Sequence, residues 1–173
     1  TLQPRKNYPI LMQAFAALRK RASLPHTLAI VGGRGWLTEE IDATTARLGL
    51  EDQVQLLGFA PDADLPALYT GASLLAFPSL YEGFGLPALE AMACGTPVVG
   101  STAPSLPEVC GDAALLVDPT DATGLADALE RVLTDEELAS MLVTRGRRRA
   151  AQFRWEDAAA NLLSVYRQVV GQV

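Results

Sequence analysis

The sequence is poor in the residues that carry most metal and nucleophilic chemistry. Its 173 residues include two cysteines and one histidine, too few for a metal cage, and no G-x-S-x-G motif marks a hydrolase nucleophile. Apolar runs of membrane-spanning length are also missing. The 14 basic residues are outnumbered by 20 acidic ones, and the net charge of -6 argues against a protein that coats nucleic acid. Carboxylates and backbone groups remain as the candidates for chemistry.

Few cysteines and the lack of a targeting motif also bear on location. We expect a reduced cytoplasmic setting, with the inner face of the membrane as an alternative. The chain begins at Thr1 rather than at methionine, and we expect it to be part of a longer protein.

Short apolar runs alternate with helix-length segments. Five such runs end in Gly, Pro, Asp or aromatic residues and lie at 27–31, 53–57, 73–77, 97–99 and 114–117. Because they are continuously apolar, they predict strands covered on both faces, as in a parallel sheet between helices.

Helical periodicity occupies the segments between and after these runs. It predicts helices at 9–21, capped by Asn7, at 37–48, from Asp121 onward, at about 135–153 and at about 155–170. The pattern is typical of one three-layer, Rossmann-like, doubly wound α/β domain, with its core in 1–150 and a C-terminal helix in 151–173. Such a sheet binds ligands beyond the carboxyl ends of its strands, so the loops there are the candidate binding sites.

The first glycine-rich loop is Gly32-Gly33-Arg34-Gly35. Its spacing does not match the G-x-G-x-x-G fingerprint, which disfavours a dinucleotide-dependent oxidoreductase. Two interpretations stay open: a flexible turn, or a loop in which Gly33 admits a ligand and Arg34 contacts an anion.

A second glycine-rich loop spans residues 77–90 and contains Gly83 and Gly85 ahead of Pro87. Glycines allow close backbone approach, and proline suits the first turn of a helix. The amides of Gly85 and Leu86 would then point outward from a helix N-terminus, which binds phosphate well.

Two carboxylates, Glu82 and Glu90, flank this helix start. A carboxylate can accept hydrogen bonds from both hydroxyls of a vicinal diol, as on a ribose or a hexose. The alternative is that Glu90 stabilises its own helix N-terminus and Glu82 is solvated. The residues alone leave both interpretations open.

The run E-G-F-G-L-P-A-L-E-A-M-A-C-G-T-P-V-V, residues 82–99, resembles the E-x₇-E signature of the retaining family 4 glycosyltransferases, enzymes with the GT-B fold. The resemblance extends to the segments at 4–7, 57–59, 64–69 and 105–114. It covers essentially the whole chain and matches the C-terminal, donor-binding half of such enzymes.

The resemblance implies a role for each matching residue. Glu82 would contact hydroxyls of the donor hexose, Glu90 would hold the ribose diol, and Lys6 would clamp the diphosphate. Glu82 and Lys6 are the candidate catalytic residues, and no metal or other cofactor is expected. The residues predicted to bind the donor are Arg5, Lys6, Gly33, Phe59, Glu82, Gly83, Phe84, Gly85, Leu86 and Glu90.

The resemblance also implies a reaction: retaining hexosyl transfer from a nucleotide-diphosphate sugar to an acceptor held by an N-terminal domain outside this chain. The Arg5-Lys6-Asn7 and Gly35-Trp36 segments resemble members that use GDP-mannose, and a UDP-sugar is the alternative. The isolated domain should bind donor but hardly turn it over. A non-catalytic nucleotide-sugar-binding subunit or regulatory module is the second hypothesis.

Two further expectations concern the ends of the chain. Many members of the family that the chain resembles place an arginine just after the first strand of this domain. Here that position is Thr1 or absent, and a central strand is expected upstream of Thr1. Near the other end, Arg145, Arg147, Arg148 and Arg149 are interpreted as solvated or paired with acids, with a weak contact to an anionic membrane as the alternative.

Overall fold

The computed structural model describes residues 2–22, 24–33 and 38–171. A short 3₁₀ turn, Pro4–Lys6, precedes the first helix. The strands of the described part are β1 (Leu28–Val31), β2 (Val54–Gly58), β3 (Leu75–Phe77), β4 (Val98–Ser101) and β5 (Ala114–Val117). The helices are α1 (Tyr8–Arg21), α2 (Thr38–Leu48), α3 (Leu65–Gly71), α4 (Leu86–Ala93), α5 (Leu106–Cys110), α6 (Ala122–Thr134), α7 (Glu136–Ala150) and α8 (Trp155–Val170).

All strand pairs in the described part are parallel, which confirms the predicted α/β class. They form two segments, β1 with β2 and β3-β4-β5 in that order. Within the described residues no ladder joins the two.

Strand β4 lies between two hydrophobic cores. Val99 packs on the side of α1 and α6, whereas Val98 packs on the side of α4 and α5. Neighbouring residues of a strand point to opposite faces, so this division creates the predicted three layers.

Strands β1 and β2 are less covered than predicted. Their side chains alternate between covered and exposed, and Val31 and Leu57 are 36% and 47% exposed. Residues of α1 and α2 belong to the core on one side of these strands. The expectation of strands buried on both faces was therefore wrong here and right for β4, all four residues of which are buried.

The cap residues that precede helices α1, α6 and α7 are Asn7, Asp121 and Asp135, and their side chains differ in their hydrogen bonds. Asp121 accepts a hydrogen bond from the Gly124 amide at 2.9 Å, as predicted for a cap. Asp135 caps α7 in the same way. Asn7 occupies the cap position of α1, but its side chain makes no capping hydrogen bond, so that part of the prediction was wrong.

Helix α8 differs from the rest of the chain because residues 151–171 are all exposed. Its large apolar side chains include Trp155, 79% exposed, and Val169, 61% exposed. The described part of the chain buries none of them.

Candidate functional site

The loop between β3 and α4 begins at Pro78 and ends at Gly85, the N-cap of α4. Gly85 has φ 111°, a left-handed conformation that favours glycine. A Cβ at this position would lie 2.7 Å from Cδ2 of Leu106. A side chain at Gly85 would be strained by this backbone conformation and would crowd Leu106, so the tight turn predicted here favours glycine. At Gly83, by contrast, a Cβ would meet nothing within 4 Å.

The start of α4 presents unused hydrogen-bond donors. Among the described residues, the amides of Phe84, Gly85 and Leu86 have no backbone or side-chain acceptor. Pro87 has no amide hydrogen to leave unpaired. Free amides at a helix N-terminus carry partial positive charge, so this end can accept an anion.

Glu82 lies beside the helix start and holds two cations. Lys6 Nζ donates to Oε1 at 2.7 Å, and Arg5 Nη1 donates to Oε2 at 2.6 Å. Glu82 is only 6% exposed, so the interpretation of Glu82 as a solvated residue was wrong. Two cations against one carboxylate leave one net positive charge next to the helix end.

The pKa of Glu82 reflects these neighbours. Burial acts to raise the pKa, but the hydrogen bonds from Lys6 and Arg5 outweigh burial and hold the pKa below its usual range. Glu82 is therefore ionised at neutral pH and accepts hydrogen bonds on both oxygens.

Lys6 and Arg5 are brought to this loop by the 3₁₀ turn that carries them. The Leu80 amide donates to the Arg5 carbonyl at 2.7 Å, and Lys6 Nζ lies 4.7 Å from the centroid of the Phe77 ring. The ring face attracts the ammonium group, which helps to fix the position of Lys6.

Asn7 connects the turn to two strand ends. Its Nδ2 donates to the Pro78 carbonyl at 3.1 Å and to the Pro119 carbonyl at 2.7 Å. Sequence reasoning missed this role and assigned Asn7 to helix capping. Its burial, 7% exposed, is visible only in three dimensions.

Glu90 occupies a different setting on the exposed side of α4. The Tyr69 hydroxyl donates to its Oε2 at 2.9 Å, and no hydrogen bond joins its side chain to the amides of its own helix within the described residues. No hydrogen bond among the described residues therefore supports the alternative that Glu90 stabilises the N-terminus of its own helix. Sequence reasoning gave Tyr69 no role, although aromatic residues with a polar tip often bind a nearby acceptor.

Gly33 and Phe59 follow β1 and β2 at the carboxyl edge of the two-stranded segment. The Gly33 carbonyl accepts from the Leu2 amide at 3.3 Å, and Gly32 donates to the Gly58 carbonyl at 2.7 Å. Phe59 is 76% exposed. In the described part, no hydrogen bond joins Gly33 or Phe59 to Glu82. The predicted anion contact Arg34 and the Gly35-Trp36 segment lie outside the described residues, as does Thr1.

Phe84 and Leu86 project from the loop and are each 45% exposed. The Phe84 ring meets the Phe153 ring edge to face at 5.8 Å between centroids. The Arg149 guanidinium lies over the Phe153 ring, 4.8 Å from its centroid. The residues after α7 therefore support one side of the loop.

The arginine run in α7 makes contacts inside the domain. Arg145 pairs with Asp112 at 3.4 Å, which agrees with an arginine paired to an acid. Arg149 instead donates to the carbonyls of Val109 and Glu108, at the end of α5. Backbone carbonyls were not among the predicted partners.

The described ranges, 2–22, 24–33 and 38–171, contain no group of three or more His, Cys, Asp or Glu side chains placed to hold a metal ion. Cys94 and Cys110 are both free thiols. Nor does any described helix combine the length and apolarity that crossing a membrane requires.

Comparison with known proteins shows the family of this chain. The family model described as "Glycosyl transferases group 1" matches residues 1–149. This chain belongs to the group 1 glycosyl transferases. The O-antigen chain mannosyltransferase B of Escherichia coli is 40% identical over 167 residues, which are 96% of this chain and 44% of the relative.

Solved structures agree with this membership. Sucrose-phosphate synthase from Thermosynechococcus elongatus superposes with a TM-score of 0.86 at 34% identity, covering 99% of this chain and 44% of that chain. HepE from Anabaena in complex with UDP and glucose superposes with a TM-score of 0.81 at 29% identity, covering 94% and 46% respectively. The present glycosyl transferase chain thus spans less than half the length of these relatives, and the GT-B-like, Rossmann-type fold is confirmed.

Proposed function

We propose that this glycosyl transferase chain is the donor-binding domain of a retaining, family 4 enzyme that transfers a hexose from a nucleotide-diphosphate sugar. The observation that carries the proposal is the meeting of Lys6, Arg5 and Glu82 at the free N-terminus of α4. Side-chain cations and free backbone amides that lie together can bind a diphosphate, and a carboxylate beside them can accept hydrogen bonds from sugar hydroxyls.

The diphosphate would be held by Lys6, Arg5 and the free amides of Gly85 and Leu86. When the bond between the anomeric carbon and the diphosphate oxygen breaks, the electron pair leaves with the diphosphate. Positive groups fixed at that oxygen stabilise the developing negative charge. Because side-chain cations and amides supply this charge, we propose that transfer needs no metal ion.

Glu82 would act on the sugar side of the same bond. Its carboxylate already accepts hydrogen bonds from both cations, so donor binding requires the cations to turn in part from Glu82 to the diphosphate. Hexose hydroxyls would then donate to the carboxylate oxygens released in this exchange. Retention of anomeric configuration is proposed from the resemblance to family 4.

The donor is proposed to be GDP-mannose, with a UDP-sugar as the alternative. The 40% identity to a mannosyltransferase supports mannose. The similarity to a protein solved with UDP and glucose supports the alternative. The Gly33 and Phe59 loops, at the carboxyl edge beyond β1 and β2, are proposed to border the nucleotide base and ribose.

The acceptor is proposed to lie on an N-terminal domain of a longer enzyme. Matching less than half of each relative supports this organisation. The apolar side chains of α8 support it as well, since a contiguous exposed apolar stripe marks a contact surface. That stripe includes Trp155, Leu162, Tyr166 and Val169, which recur at helical spacing.

Calorimetry with GDP, UDP, GDP-mannose and UDP-glucose tests donor binding. Saturable binding of at least one diphosphate, unchanged by EDTA, is the expected result. Failure of all four ligands to bind at millimolar concentration would refute the proposal. Hexosyl transfer restored by adding an acceptor domain favours the enzyme, whereas binding without transfer in that mixture favours a non-catalytic module.

A further inference from the structure

Tyr69 and Glu90 belong to different helices, and one hydrogen bond joins them. The Tyr69 hydroxyl, near the end of α3, donates to Glu90 Oε2 in α4 at 2.9 Å. The phenol is half-buried, while Glu90 is exposed. An exposed glutamate ordinarily samples several rotamers, and this contact selects one of them.

The backbone of Tyr69 is anchored independently of Glu90. Thr96 Oγ1 donates to the Tyr69 carbonyl at 2.6 Å, and Thr96 follows the end of α4 with only 3% exposure. The Tyr69 phenol therefore extends from an anchored backbone in α3 to the Glu90 carboxylate in α4.

The hydrogen bond leaves Glu90 able to bind a ligand. A carboxylate has two oxygens with about four acceptor positions, and Tyr69 occupies one of them. Oε1 and the remaining position on Oε2 stay available to a vicinal diol.

The Tyr69 hydroxyl keeps its proton, as a hydrogen-bond donor to Glu90 must. Burial, the hydrogen bond to Glu90 and the charge of Glu90 raise the pKa of Tyr69 far above its usual value. The hydroxyl therefore remains a donor throughout the neutral range.

We propose that Tyr69 is a positioning residue that holds the Glu90 carboxylate in the orientation that receives both ribose hydroxyls of the donor nucleotide. This inference rests on the proposed function, in which Glu90 binds the ribose. Fixing a flexible side chain before binding reduces the entropy lost when the ligand is bound. Tyr69 would thereby contribute to the preference for ribonucleotides without touching the ligand.

Calorimetry on the wild type, Tyr69→Phe, Glu90→Ala and the double variant tests the inference. Each protein is titrated with GDP and with 2′,3′-dideoxy-GDP, or with the UDP pair if UDP binds more tightly. The measured quantity is the ratio of the two dissociation constants. Tyr166→Phe, which removes a hydroxyl from the exposed helix α8, is the matched control.

We expect Tyr69→Phe to weaken GDP binding roughly 3- to 10-fold and to leave dideoxy-GDP binding unchanged, so that the ratio shrinks. In the Glu90→Ala background, removing the Tyr69 hydroxyl should have no further effect. A merely structural role would weaken both nucleotides equally and lower the melting temperature.

The measurements separate the ribose role of Glu90 from the positioning role of Tyr69. If Glu90→Ala leaves the ratio at its wild-type value, the ribose role of Glu90 is wrong and the inference falls with it. If Glu90→Ala removes the preference but Tyr69→Phe keeps it in full, only the positioning role of Tyr69 is overturned.

Discussion

The two glutamates of the 82–90 segment are held in opposite ways. Glu82 is buried and bound by two cations, Lys6 and Arg5, whereas Glu90 is exposed and bound by the neutral hydroxyl of Tyr69. A buried charge depends on its partners for its place in the fold. An exposed charge does not, because water solvates it when the partner leaves. Glu82 should therefore affect stability and binding together, and Glu90 binding alone.

The largest effect is expected from Glu82→Gln, which keeps the shape of the side chain and removes its charge. We expect a loss of about 2–3 kcal/mol in the free energy of unfolding, measured by urea denaturation at pH 7, because two cations lose their partner. Glu51→Gln, at an exposed position, should change it by less than about 0.5 kcal/mol. Equal losses in the two variants would abolish the contrast between buried and exposed glutamates.

The effect of Glu82→Gln should also depend on pH. The pKa of Glu82 is lower in the folded state than its usual value of about 4.3, so the charge stabilises the fold above that value. The stabilisation is lost as pH falls through the lowered pKa. The stability difference between wild type and variant should thus be full at pH 7 and shrink in acid. A difference that stays constant down to pH 3 would contradict the ionic origin.

The next largest effect is expected at Lys6, one of the two cations that pair with Glu82. Lys6→Met removes the charge while keeping an apolar chain over Phe77, and we expect nucleoside-diphosphate affinity to fall by about 2 kcal/mol, as for a hydrogen bond between charged groups. Lys20, the other lysine of the chain, is exposed, and Lys20→Met should bind as the wild type does. Calorimetry with the diphosphate compares the two. Similar affinities would remove Lys6 from the diphosphate site.

An effect of similar size is expected at Glu90, the exposed one of the two glutamates. Glu90→Ala should weaken nucleoside-diphosphate binding by roughly 1–3 kcal/mol through loss of a charged acceptor, with an unchanged melting temperature. Glu51→Ala is the control for loss of one surface charge. A clear drop in melting temperature for Glu90→Ala would break the distinction drawn between the two glutamates.

The smallest effect tests how the backbone of Glu82 is held. Ser105 Oγ donates to the Glu82 carbonyl at 3.1 Å, and Ser105 itself has φ 75°. Ser105→Ala should cost about 1 kcal/mol of stability by removing the hydrogen bond. Ser105→Gly loses the same bond but relieves the positive φ, so it should be the more stable of the two in thermal unfolding. The reverse order would show that the backbone at 105 is not strained.

Sequence patterns predicted the long helices well and the short helices poorly. Long apolar-periodic segments identified α1, α6, α7 and α8 to within a few residues. The short helices α3 and α5 were not recognised, because five to seven residues with proline near the start show too little periodicity. Burial of β1 and β2 was overestimated, since composition shows that a strand is apolar but not whether a helix covers both its faces.

The candidate site was predicted in part, for a similar reason. Glycine at 85 and carboxylates at 82 and 90 can be found in one short segment, because motif spacing is local. The role of Asn7 as a link between two loops could not be predicted, because the carbonyls that accept its hydrogen bonds, at Pro78 and Pro119, are 71 and 112 residues away in the sequence.

The sequence by itself determined the strands and the longer helices of this glycosyl transferase domain, its family, and the residue types from which its site is made. Those properties follow from local periodicity and from a contiguous motif. Only the tertiary structure decided which groups meet: Lys6 reaches Glu82 across 76 residues, and Tyr69 reaches Glu90 across 21. The sheet brings strand ends together whatever their separation in the chain, and charge and burial then distinguish two glutamates that look alike in the sequence.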